Sequence, residues 1–303
     1  MKKILIAGGN GFLGNAIIDF FENSEYEFII LSRKIFSLNR KNAQVVVWDG
    51  ETEGEWCKHL EGAFAVINLC GKSVNCRLTD NNKHEILQSR IVTTSLIGNA
   101  ILKCQQAPQV WMNASSATIY KYSSTKFNTE DDTDFNTDFG TDVALKWEQC
   151  FNAFTTPQTR KIALRISIVL GKNDGAFTRL KTLTQFGLGG YQGSGKQYVS
   201  WIGELDFCRI IQFLLDSNTS SGAYNICTPQ PITNAIFMKT LQHKMKKIVA
   251  LPTPLWMLQL GALIIGTDAD LIVASRWVMP KKIMGEGFKF LHPNIDLAIE
   301  NLL

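Results

Sequence analysis

Residues 1–21 read MKKILIAGGNGFLGNAIIDFF, and residues 27–34 read EFIILSRK. Lys3 to Ala7 has the length and apolar content of a short buried strand. It runs directly into Gly8, Gly11 and Gly14, then into an apolar helix face carrying Phe12, Ile17, Ile18 and Phe21. A strand, a glycine-rich turn and a helix start together make a phosphate cradle. The first glycine permits the turn, the second lets backbone approach a pyrophosphate, and the third lets helix pack on strand. Glycines also mark ordinary turns, so the triplet gains its meaning from the strand before it and the helix after it. A second strand, Glu27 to Leu31, follows at the expected distance.

The end of that second strand bears on which dinucleotide is bound. A site for NAD places an Asp or Glu about 20 residues past the glycines, where it accepts from a ribose hydroxyl. Here the chain has Ser32-Arg33-Lys34. An arginine fork suits a 2′-phosphate, and the expectation is NADP(H). The alternative reading, solvated loop charges, explains Arg33 and Lys34 but not the missing acid. The expected cofactor contacts are Gly8, Asn10, Gly11, Phe12, Leu13 and Gly14 in the first turn, and Ser32 and Arg33 after the second strand. Asp49 either meets the adenine amino group or begins the turn Asp49-Gly50.

With 303 residues the chain can bury a large core, in one large domain or two smaller ones. The net charge of +4 comes from scattered basic residues, which leaves no stripe for nucleic acid. Seven cysteines form no CxxC pair and only four histidines are present, so neither a disulfide framework nor a metal site is expected. The cysteines read as free thiols in a reducing compartment. No export signal is legible at the N-terminus. The most apolar run, Pro254 to Gly266, is shorter than the roughly 20 residues of a membrane span. It reads as a buried or interface helix, with membrane association the lesser alternative, and the expected location is cytoplasmic.

Strand and helix patterns then alternate. Gln44–Trp48, Ala65–Leu69, Val110–Asn113 and Lys161–Ile166 read as strands, Asp80–Cys104 and Asp142–Phe154 as helices. Such alternation predicts a parallel sheet covered on both faces, a Rossmann-like doubly wound α/β fold. After Gly171 the character changes, with glycines clustered in Gly187-Leu-Gly-Gly-Tyr-Gln-Gly-Ser-Gly195. The reading divides the chain into a nucleotide-binding part over 1–170 with later segments returning to it, a substrate-facing part over 171–250, and a small C-terminal domain over 251–303. Trp256, Leu260, Ile264, Leu271, Trp277, Phe288 and Phe290 are expected to pack that last part onto the main body.

Ligands bind such sheets beyond the carboxyl ends of the strands. The loops there carry Asn68-Leu69-Cys70-Gly71-Lys72 and Asn113-Ala-Ser-Ser116-Ala-Thr118-Ile-Tyr120. Leu69, Cys70 and Gly71 join the expected cofactor contacts. The second loop resembles that of an extended short-chain dehydrogenase/reductase. In that superfamily the serine orients a substrate oxygen, and a Tyr-x-x-x-Lys pair supplies the proton. The segments Gln88-Ser-Arg-Ile, Lys146-Trp-Glu148, Arg165-Ile-Ser-Ile-Val-Leu-Gly171, Ser200-Trp-Ile and Met279-Pro-Lys-Lys narrow the resemblance. They are similar to an atypical branch, the "epimerase family" or nucleoside-diphosphate-sugar epimerase-like proteins, which ends in a small domain of unknown function. The resemblance spans essentially the whole chain.

The resemblance also exposes a departure. Where the Tyr-x-x-x-Lys pair belongs, the chain reads Phe139-Gly-Thr-Asp-Val-Ala-Leu-Lys-Trp-Glu148, with no tyrosine. Lys146 is out of register by about a helical turn. Arg90 stands where the superfamily commonly has a relay asparagine. Ser116 is the expected substrate or nicotinamide contact, or else a turn cap. Tyr120 is either a proton donor helped by a cation or a packed residue bonded to its surroundings. Arg165 should find a carboxylate partner, Glu148 among the candidates. The functional expectation is an NADP(H)-dependent oxidoreductase or epimerase-type enzyme acting on a small polar substrate, a nucleotide sugar being one candidate. The rival is a non-catalytic NADP(H)-binding regulator. A homodimer is compatible with either.

Overall fold

The computed structural model describes residues 1–38, 40–265 and 273–303, with the side chains of 262–265 excepted. Seven parallel strands form the central sheet: β1 (Lys2–Ala7), β2 (Tyr26–Ser32), β3 (Ala43–Val47), β4 (Ala65–Asn68), β5 (Val110–Ser116), β6 (Arg160–Ile166) and, later in the chain, β10 (Gly222–Ile226). Their order across the sheet is β10-β6-β5-β4-β1-β2-β3. The order reverses between β1 and β4, whose pairing runs from Ile4 opposite Ala65 to Ala7 opposite Asn68. A crevice at that reversal is the doubly wound ligand site.

Period-two alternation explains why these strands read as continuous apolar runs, since both faces are buried. Ile4 and Ile6 face one core with Ile17 and Ile18 of α1 (Phe12–Phe20) and Phe207 and Ile211 of α5 (Glu204–Asp216). Leu5 and Ala7 face the other with Leu96 and Ile97 of α2 (Asp80–Leu102) and Phe151 of α3 (Phe139–Asn152). Burying each large apolar side chain contributes roughly 1.5–3 kcal/mol.

Boundaries differ from the sequence reading in two informative places. Strand β5 continues three residues past Asn113, so Ser115 and Ser116 belong to its carboxyl end. Helix α3 begins at Phe139, not Asp142, because the Asp138 side chain accepts from the Thr141 amide and caps the first turn.

Beyond β6 the chain builds the upper layer. β7 (Ile168–Leu170) pairs in parallel with β9 (Trp201–Gly203), and β8 (Tyr198–Val199) pairs antiparallel with β11 (Ile232–Thr233). Helices α4 (Gly175–Gln185), α6 (Asn234–Lys244) and α7 (Leu255–Ile265) surround them. The chain ends in α8 (Lys281–Gly285) and α9 (Ile295–Leu302). The C-terminal anchors are mixed. Phe288 is buried and packs edge-on against Phe213 and Phe290, and Trp277 stacks on Tyr198 at 4.2 Å. Trp256 and Leu260, expected to pack on the main body, are exposed, since α7 buries little beyond Leu258. The side chain of Ile264 and all of Leu271 lie outside the described residues. The seven cysteines are free. No helix among the described residues is long and apolar enough to cross a membrane.

Candidate functional site

The glycine turn has the geometry of a phosphate cradle. Gly8 adopts φ +79°, a left-handed conformation that side chains disfavour, and a Cβ there would sit 3.1 Å from the Leu69 backbone. A Cβ at Gly14 would lie 2.4 Å from Cα of Gly9, so the third glycine is required for close packing. Gly11 caps α1 with no side-chain hydrogen bond, whereas α2, α3, α4, α6 and α9 are each capped by a side chain. The first amides of α1 therefore remain available to an anion. These residues fit a dinucleotide pyrophosphate. The Phe12 ring packs on Gly171 and Gly175, where a Cβ would meet it at 2.4 and 3.2 Å, which leaves its amide, the first of α1, on the cradle side of the expected contact.

Beside the cradle, at the end of β2, lies a cavity of about 750 Å³, a size ordinary for small-ligand sites. Asn10, Asn15, Ser32, Lys34, Phe36 and Arg40 line it. Arg33, expected to meet the phosphate, is exposed and does not line this cavity; Lys34 and Arg40 supply its positive charge. Arg40 is oriented by Asn15 Oδ1 (2.9 Å) and Asp19 (2.5 Å). The sequence reading missed Arg40 and Asn15, and a third basic residue, eight positions past β2, was the available signal. Asp49 takes the turn-starting alternative: its carboxylate accepts from the Glu51 and Thr52 amides at 2.8 Å and from the Thr52 hydroxyl. Those bonds pull its pKa down to about 2, the Thr52 hydroxyl contributing most.

Just past β4, Leu69 and Cys70 run against Gly8, and Gly71 lies against the Arg90 guanidinium. Burial pushes the Cys70 thiol up to about 12, which keeps it protonated and inert. Arg90 clamps this loop to α2, donating to the carbonyls of Lys72 (3.1 Å) and Ile86 (2.8 Å) while its guanidinium lies 5.1 Å from the Trp147 ring. No carboxylate pairs with it among the described residues, and burial pulls its pKa down to about 10.

Ser116 stands at the end of β5 and accepts from the Thr118 amide (3.2 Å) and hydroxyl (3.0 Å), so it caps a short turn. It also lines a cavity of about 150 Å³ with Thr118, Ser167, Tyr198, Ser200 and Arg276. Arg276 is the notable addition. Its Nε is buried without a hydrogen-bond partner, and its guanidinium lies 5.6 Å from the Tyr122 ring. Burial pulls its pKa below the usual arginine value although Tyr122 and Asp138 act to raise it. An arginine inside the apolar run Val-Ala-Ser-Arg276-Trp-Val was the signal in the sequence.

Tyr120 points the other way. It is 1% exposed, donates to Asn225 Oδ1 (2.7 Å) and accepts from Arg165 Nη1 (2.7 Å). Burial pushes its hydroxyl well above the ordinary phenol value, and the Arg165 charge only partly offsets this. A phenol sealed on both sides has no path to a substrate oxygen, so Tyr120 is a packed residue and not the proton donor. Lys146 faces out and pairs with Asp142 (2.8 Å). Trp201 is wholly buried. Arg165 has its carboxylate in Glu148.

A parallel sheet with a glycine cradle at its reversal and a serine-lined cavity beyond β5 defines an extended short-chain dehydrogenase/reductase scaffold. The NAD dependent epimerase/dehydratase profile matches residues 4–227, and a domain of unknown function (DUF1731) matches residues 253–302. The chain belongs to the NAD dependent epimerase/dehydratase family. An epimerase family protein of Staphylococcus aureus is 31% identical over 100% of this chain and 99% of its own length. One from Staphylococcus haemolyticus is 29% identical over 100% and 99%. A human epimerase family protein, solved with NADPH, superposes with a TM-score of 0.89 at 27% identity, covering 99% of this chain and 98% of that one.

Proposed function

We propose that the chain binds NADP(H) and acts as an oxidoreductase or epimerase-type enzyme on a small polar substrate. The observation that carries this reading is a pair of cavities past the carboxyl ends of the strands, one basic beside the glycine cradle at the end of β2 and one serine-lined beyond β5. Lys34 and Arg40 would hold the 2′-phosphate, the α1 amides the pyrophosphate, and Ser116 the reacting oxygen. The NADPH in the human relative's structure supports the same cofactor. When bound, the cofactor supplies hydride transfer. The chain's own residues position and exclude: Gly8 and Gly14 let the backbone close in, and Arg90 fixes the Gly71 loop beside it. The cavity beside Ser116 is smaller than the roughly 300–1,000 Å³ that takes a drug-sized ligand, which supports a small substrate over an entire nucleotide sugar.

Calorimetric titration of the full chain tests the cofactor. NADPH is expected to bind more tightly than NADH, and Lys34→Ala with Arg40→Ala to remove most of that preference, roughly tenfold or more in affinity. Equal affinities in the native protein would end the NADP assignment. A second reading, a non-catalytic NADP(H)-binding regulator, is favoured by the burial of Tyr120, which turns the phenol of the Ser116 loop away from the cavity. NADPH oxidation across a panel of small carbonyl compounds, lost in Ser116→Ala, would decide for the enzyme.

A further inference from the structure

One face of the upper layer is apolar without serving the core. The stretch 183–191 runs beside 248–253: the Leu251 amide donates to Gly187 O (2.9 Å), Gly190 to Leu251 O (3.1 Å) and Thr253 to Tyr191 O (2.9 Å). The first stretch exposes Phe186 (78%) with Leu188 and Tyr191. The second exposes Ile248 (96%), Val249 and Leu251, and α7 continues the face with Trp256 (61%) and Leu260. Isolated exposed apolar residues are ordinary; a contiguous run of them marks an interaction surface.

Charge identifies the occupant. Residues 176–203 and 230–261, which include this face, contain no Asp or Glu. They do contain Arg179 and Lys181 on α4, and Lys246 and Lys247 immediately before Ile248. Lys246 and Lys247 make no ion pair among the described residues, whereas Lys244 is taken by Glu300 (3.0 Å). In a twofold dimer the same patch meets itself. Apolar surface would be covered, but a patch with cations and no carboxylate would meet another such patch, and the cations would find no partner. A surface of anionic lipid covers the apolar side chains and neutralises the cations together, the combination of an interfacial anchor. Trp256 is the residue type that favours such a boundary.

We propose that this face docks on an anionic membrane surface, lying on the lipid without crossing it. The proposal is independent of the cofactor reading. Full-length protein is sedimented with phosphatidylcholine vesicles, with and without phosphatidylglycerol. Association is expected with the anionic vesicles, weakening as salt rises. Phe186→Glu with Trp256→Glu should release the protein, and Lys246→Gln with Lys247→Gln should weaken binding by about fivefold per lysine. Because these side chains are exposed, the thermal melting of the variants should match the native protein. No association at low salt, or undiminished association of both variants, would overturn the proposal. So would a native dimer, seen by light scattering, that ignores vesicles and separates on Trp256→Glu, since a second copy would then own the face.

Discussion

Glu148 and Arg165 meet inside the protein as a two-pronged pair, Nε to Oε1 at 2.9 Å and Nη2 to Oε2 at 2.8 Å. Register explains the meeting: Ser115 on β5 lies opposite Arg165 on β6, and both reach the face where α3 presents Glu148. Ser115 adds a 2.6 Å bond to the same carboxylate, and Tyr120 occupies the remaining arm of the guanidinium. Removing one partner of such a pair strands a buried charge, at a cost of about 3–5 kcal/mol. Glu148→Gln should therefore lower the urea midpoint severely. Tyr120→Phe should cost about 1–3 kcal/mol, the penalty for unpaired buried polar groups, and leave NADPH affinity intact. A loss of cofactor binding without a loss of stability in Tyr120→Phe would contradict the packing role. The pair was legible in sequence because an arginine on a buried strand demands a carboxylate. The direction of Tyr120 was not, since its spacing from Ser116 does not say which side of a turn it takes.

Among the elements, α1 and α3 show what a start signal can and cannot tell. The glycine spacing announced α1 because each glycine answers a separate steric demand. Gly14→Ala should abolish binding of both dinucleotides, since the new methyl collides with backbone and not with a side chain that could swing aside. Retained NADPH affinity in that variant would show that the turn can relax. Helix α3 started earlier than its apolar pattern suggested because Asp138 caps it. Partial burial pushes the Asp138 carboxyl up, but bonds from Thr141, Tyr122 and Asn136 outweigh it and hold the pKa below the usual value. A carboxyl depressed on folding contributes stability above its unfolded value of about 3.9 and loses it as pH falls through the folded value. The stability gap between native protein and Asp138→Asn should be present at neutral pH and shrink in acid. A gap that widened on acidification would reverse the assigned direction.

At the level of the whole molecule, the sheet was readable and the long-range closures were not. Strands β1 to β6 each announce themselves by local apolar runs, but nothing local says that Arg276 will reach the cavity beside Ser116. The same limit hid the contact that fastens the C-terminus. Asp206, 1% exposed on α5, accepts from the amides of Leu291 (2.9 Å) and His292 (2.7 Å) and pairs with Arg209 (2.7 Å). Glu286 adds bonds from Tyr224 and Ser220, both at 2.6 Å. These acids hold the segment that carries Val278, Ile283 and Phe288 into the main body and Ile295 and Ile299 against α6. A segment held by its own core would need no such fastening. A segment that completes another core needs the fastening to stay in register. Asp206→Ala should thus expose the stretch after Lys281 to limited proteolysis while β1 to β6 remain protected. Cleavage there no faster than in the native protein would mean that apolar packing alone retains the C-terminus, and uniform cleavage throughout would mean that the whole chain unfolds as one unit.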